Sequence, residues 1–160
     1  MFIDVNKYKD KSSDSEMIQA ALDEARVNGK AVIIPKYNER TGQSVWNIDK
    51  TVLLYSESTL ILQNAHLRLA DGAICNMFTN SNARTELAKT DEGTERNIHV
   101  LGIGKAVLDG GIHNGMYEDN GIARKVVKDY GQHTHSRPAR LLCRRSIAHT
   151  PAQSRRIQNI

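Results

Sequence analysis

"NIHVLGIGKAVLDGG", Asn97–Gly111, decides the fold. It holds two short apolar runs, Ile98–Leu101 and Ala106–Leu108, joined only by Gly102-Ile103-Gly104-Lys105 and closed by Asp109-Gly110-Gly111. A phosphate-binding loop is the first suspect, because a glycine precedes a lysine after a strand. Its spacing fails: the loop needs a glycine at position 99, where His99 stands, and Ser or Thr at position 106, where Ala106 stands. A dinucleotide fingerprint fails as well, since no helix pattern follows. What remains is two strands meeting at a glycine corner.

Working outward, further short strands appear: Ala31–Ile34, stopped by Pro35, then Val45–Ile48, Val52–Tyr55, Thr59–Leu62 and His66–Leu69. Leu60, Leu62, Leu67 and Leu69 alternate with Ile61, His66 and Arg68, the pattern of strands with one face on a core. Before them, Ser13 and Glu16 form a capping box. Met17, Ile18, Ala21, Leu22 and Ala25 then share one face of a helix predicted over 14–27, which stops at Asn28-Gly29. Strands this short, with no helix between them, do not suit a doubly wound sheet, whose crossovers need a dozen or more residues. The joins "SES", "QNA" and "GIGK" are corners rather than hairpin turns. The pattern predicts an all-β coil of short parallel strands, a β-helix solenoid whose first turn is covered by the helix. Two polar stretches, Asn76–Glu95 and the one following Gly111, read as excursions from the coil.

Composition narrows function. The 160 residues suffice for one domain with a core, burying about two-thirds of the unfolded surface. No apolar run approaches the ~20 residues that span a bilayer, and the N-terminus lacks a secretory pattern, so a cytoplasmic location is expected. Cys75 and Cys143 sit far apart, predicting neither a disulfide framework nor a zinc site. The net charge of +4 comes from the tail: Ser136–Ile160 carries six arginines and no acidic residue. Without those six, Asp and Glu outnumber Lys and Arg. Such a tail binds polyanions nonspecifically, but it has no aromatic residue to stack bases, so nucleic acid is not the expected partner.

Taken in order, "DVNKY", the Ser/Asp-rich helix start, "MIQAALDEARVNGKAVIIP", the strand ladder and "IHVLGIGKAVLDGG" resemble the first coils of pectin-lyase-like right-handed parallel β-helix proteins. The chain looks most like the N-terminal part of the polygalacturonase-type proteins of glycoside hydrolase family 28. The resemblance runs from Ile3 to Gly111, and loosely to Pro138. It implies that residues 1–138 are the beginning of a β-helix domain from a glycosidase acting on galacturonan or pectin-type poly- or oligosaccharides.

The family's Asn-Thr-Asp strand, Asp-Asp pair, Gly-His-Gly turn and Arg-Ile-Lys strand are absent from this chain. Two-carboxylate glycoside chemistry therefore has no assigned residues here, and no catalytic, cofactor-binding or metal-binding residue is named. Asp91-Glu92 and Glu118-Asp119 are adjacent acidic pairs read as surface charge, and His133-Thr134-His135 lacks a third metal ligand. Neither a calcium cluster nor its partner arginine can be assigned. Trp46, Tyr117 and Tyr130 are the aromatic residues open to stacking on a sugar ring or to packing on the coil. Residues 139–160 lose the strand rhythm and read as a basic tail or as a non-native, frame-shifted ending of a truncated member. An uncovered last coil is expected to associate edge to edge unless Gly111–Pro138 folds back over it. The competing function is a non-catalytic carbohydrate-binding or structural β-helix module of the tailspike or adhesin kind.

Overall fold

The computed structural model describes residues 1–83 and 85–114. Its one α-helix among these residues, α1 (Asp14–Asn28), starts where Ser13 Oγ accepts the amide of Glu16 at 3.3 Å. Only half of the expected capping box forms. The Glu16 carboxylate turns away from Ser13 and accepts from Ser12 Oγ and from Lys50 Nζ at 2.7 Å. The helix ends at Gly29, whose φ of 60° is cheap only for a residue without Cβ. Met17, Ile18, Ala21, Leu22 and Ala25 are all buried, as their spacing requires.

The strands are β1 (Phe2–Asp4), β2 (Ala31–Ile34), β3 (Val45–Ile48), β4 (Val52–Leu54), β5 (Thr59–Gln63), β6 (His66–Leu69), β7 (Phe78–Asn80), β8 (His99–Ile103) and β9 (Val107–Asp109). They form three sheets, ordered β1-β2-β5-β8, β3-β6-β9 and β4-β7, in which every pairing is parallel. From β2 onward the chain visits the first, second and third sheets in turn, repeats that order, and enters the first and second again. Parallel neighbours need a long crossover. From β2 onward each crossover runs through strands of the other two sheets, so no α-helix is required there, whereas β1 and β2 are joined across α1.

Register then builds the core. Ile3, Val32, Leu60 and Val100 form one column, Ile34 and Leu62 a second, Trp46, Leu67 and Leu108 a third, and Val52 and Phe78 a fourth. All but Val100 belong to the apolar cluster or pack against it. Each fully buried aliphatic side chain contributes about 1.5–3 kcal/mol, and a slip of one residue would turn a whole strand's column outward.

Corners repeat as faithfully as strands. Glu57 and Asn97 both have positive φ (61° and 54°), and Asn97 Nδ2 donates to Glu57 Oε1 at 2.7 Å. Asn64 (φ 51°) and Gly104 (φ 68°) are the next stacked pair. Asn64 N donates to Ile103 O at 2.8 Å, and Asn64 Oδ1 accepts from Lys105 N at 3.0 Å. A Cβ on Gly104 would collide with that same Oδ1. The glycine in "GIGK" is therefore room for the asparagine of the circuit beneath.

The opening of the stack is closed by polar side chains of α1. Among the described residues, β3 and β4 have no strand on their outer edge. Asp14 Oδ2 accepts from Asn47 N at 2.7 Å, Ser15 Oγ accepts from Asp49 N at 3.0 Å, and Gln19 Oε1 accepts from Leu53 N at 2.8 Å. Three helix side chains thus occupy the place of a neighbouring strand. Asp14 is fully buried, and its other oxygen accepts from Asn38 Nδ2 at 2.8 Å and from Arg40 Nη2 at 2.7 Å. Unpaired, such a charge would be costly; here each oxygen has partners.

Four sequence expectations need correction. β1 was hidden in "FID". β7 lies inside the supposed excursion, paired in register with β4. β8 continues through Gly102 and Ile103, so the corner is only Gly104 to Ala106, and β9 begins at Val107. A 3₁₀ turn, Glu86–Lys89, lies further along the excursion. Among the described residues the molecule is mostly β, with parallel sheets and one α-helix, compatible with the expected coil. No described helix is long and apolar enough to cross a membrane.

Candidate functional site

The outward side of the second sheet gathers chemistry-bearing residues. Because side chains alternate on β6, burial of Leu67 sends His66 and Arg68 outward, and the register with β9 brings Asp109 beside Arg68. Asp109 Oδ2 lies 3.5 Å from both His66 Nε2 and Arg68 Nε. Arg68 Nη2 also holds Asp71 Oδ1 at 2.7 Å. His66 Nε2 is shielded from solvent, and Asp109 Oδ2 stands beside it without the geometry of a regular hydrogen bond. The Gly111 N–H, 2.9 Å from Asp109 Oδ1, and then the His66 imidazole and the Arg68 guanidinium beside it hold the Asp109 carboxyl below the usual carboxylate range. It is ionised at neutral pH and has no proton to donate, which makes it unsuited to the acid role in glycoside cleavage.

The third sheet carries a different surface. Thr51, Leu53, Thr79, Asn80, Ser81 and Ala83 line a small groove on its outer side, mainly apolar in its exposed area and without a charged group. It exists because β7 pairs with β4, setting Thr79 beside Leu53. Its rim is fixed by Glu95, which accepts from Ser81 Oγ and from Ser56 N and Oγ. Burial pushes Glu95 up, but the hydrogen bonds from Ser56 and Ser81 together outweigh it and leave the carboxyl below its ordinary range. Such a groove can bind through hydroxyl and amide groups; it offers no nucleophile or proton donor.

Of the residues singled out in the sequence, Trp46 is fully buried and donates Nε1–H to Pro35 O at 2.8 Å. It is a core residue and cannot meet a sugar ring. Asp91 and Glu92 are exposed, as surface charge should be. Cys75 Sγ lies 3.9 Å from Asp49 O. Glu118, Asp119, Tyr117, Tyr130, His133, His135, Cys143 and the whole 139–160 tail lie outside the described residues. Among the described residues, no three His, Cys, Asp or Glu side chains converge as metal ligands. The sequence reading passed over the His66, Arg68 and Asp109 grouping. Its signal was present in the outward positions of His66 and Arg68, but Asp109 joins them only once the register across some forty residues is known.

No protein-family model, curated protein or solved structure matches the chain.

Proposed function

We propose that this chain is the N-terminal part of a right-handed parallel β-helix of the polygalacturonase type, carbohydrate-active on galacturonan or pectin-type poly- or oligosaccharides. It supplies the cap and first circuits, while the reacting carboxylates belong to later circuits that this chain does not carry. The observation that carries this reading is the repeated order of the three parallel sheets, with α1 laid across β2, β3 and β4. The corner glycine at 104 and the turn at Asp109 add support, being the motifs on which the resemblance rests. Release of reducing ends from polygalacturonate by the purified chain, beside an inactive-protein control, tests it. No release above the control is expected; activity would overturn the assignment of the chemistry elsewhere. The DNA following the codon for Ile160 is a second test. Read in all frames, it should encode further short strands bearing an Asp-Asp pair, and their absence would remove the link to a hydrolase.

A second reading, a non-catalytic carbohydrate-binding or structural module, is favoured by the uncharged groove over β4 and β7. Calorimetric titration with oligogalacturonates and with neutral oligosaccharides separates the two. Saturable binding that is lost in Thr79→Ala and Asn80→Ala, combined with no related coding sequence downstream, would favour the module.

A further inference from the structure

The last circuit ends in an edge that is not built to face water. β8 pairs with β5 on one side, and among the described residues nothing pairs with it on the other. His99 N donates to Ser58 O at 2.9 Å, so by the alternation of a parallel ladder the amides of Val100 and Gly102 point to the free side. Val100 stands in the column of Ile3, Val32 and Leu60, yet it is 37% exposed where those three are at most 4% exposed. Leu101 and Ile103 on the same strand are 48% and 50% exposed. The usual protections of an edge, a lysine, a proline or a bulge, are missing from "HVLGI".

We infer that the free edge of β8 and the apolar end of the third circuit are a docking surface for residues 115–138 of the same chain. Two points favour this occupant over a second copy. The segment follows Asn114 directly, only five residues after β9, and its length is comparable with the 28-residue step from Val32 to Leu60. Tethered so closely, it reaches an effective concentration on the order of millimolar, far above a second copy at micromolar protein. The segment carries apolar residues, among them Ile122, Val126 and Val127; residues 139–160 are apolar in places too, but their five arginines, with no acidic residue to offset them, suit an apolar edge less well.

Hydrogen exchange of the full-length chain tests the inference. In the monomer, the Val100 and Gly102 amides should exchange about a hundred-fold or more slowly than open backbone. The double substitution Val126→Asp with Val127→Asp should return them to fast exchange while leaving the amides of β2 and β5 protected. Fast exchange in the unaltered chain would overturn the inference. So would protection that appears only as the protein dimerises, which would give the surface to a second copy, or protection unchanged by the double substitution.

Discussion

The two ends of the stack solve the same problem unequally. At the first circuit, α1 covers the apolar interior, and Asp14, Ser15 and Gln19 occupy the hydrogen-bonding edge of β3 and β4. At the third, Val100, Leu101 and Ile103 stand exposed on a strand whose outer edge has no partner among the described residues. Burial at one end is achieved by polar residues chosen for their reach, and the other end has no such device among the described residues. An edge is made safe less by hydrophobic cover than by giving its amides and carbonyls a partner.

The severest way to break the covered end is Asp14→Ala. It leaves Asn47 N and Asn38 Nδ2 without their acceptor and Arg40 without its anion, and should cost about 3 kcal/mol, read as a lower denaturant midpoint at unchanged slope. A loss below about 1 kcal/mol would mean that water substitutes freely for the carboxylate, against its burial. Next comes Gly104→Ala, which combines a positive φ with a collision at Asn64 and should cost about 2 kcal/mol. Pairing it with Asn64→Ala removes the collision but not the strained backbone, so the double variant should recover part of the loss. Gln19→Ala removes the acceptor for Leu53 N and should cost about 1 kcal/mol, with faster hydrogen exchange confined to β4.

The smallest effect is a pH dependence. Lys50 and Ser12 hold Glu16 down, from its ordinary 4.5 to about 2. A depressed carboxylate stabilises the fold above its unfolded value and loses that contribution as pH falls through the folded one. Stability should therefore decline between about pH 4.5 and 2, and Glu16→Gln should flatten part of that slope. An identical slope in the variant would show that the Glu16–Lys50 pair contributes nothing in solution, the common outcome for exposed pairs.

What the sequence made legible follows from how local each signal is. The helix is read from its own spacing, and β2, β3 and β6 from apolar runs whose bounds hold to the residue. β7 escapes because Phe78-Thr79-Asn80 has one apolar residue, and only pairing with β4 makes it a strand. Trp46 misleads because an indole suits both a sugar face and a core, and what settles it is the carbonyl of Pro35. Asp14, Ser15 and Gln19 looked like ordinary first-turn and surface residues of a helix. Their role depends on which strand edge lies beneath them, and local sequence holds no information about that. The candidate surfaces are less legible still, since both arise from pairings between distant strands.

The step between stacked residues changes once along the last circuit. Leu60 lies 40 positions from Val100, whereas Leu67 lies 41 from Leu108, so the corner after Gly104 holds one residue more than the corner after Asn64. Both flanking strands keep their columns across that change. Length is absorbed at corners and never propagates, which makes the chain modular in a practical sense: foreign peptide can be grafted where circuits already differ. The stretch from Thr85 to Glu92 is the natural place, because it hangs between β7 and β8 and no column passes through it.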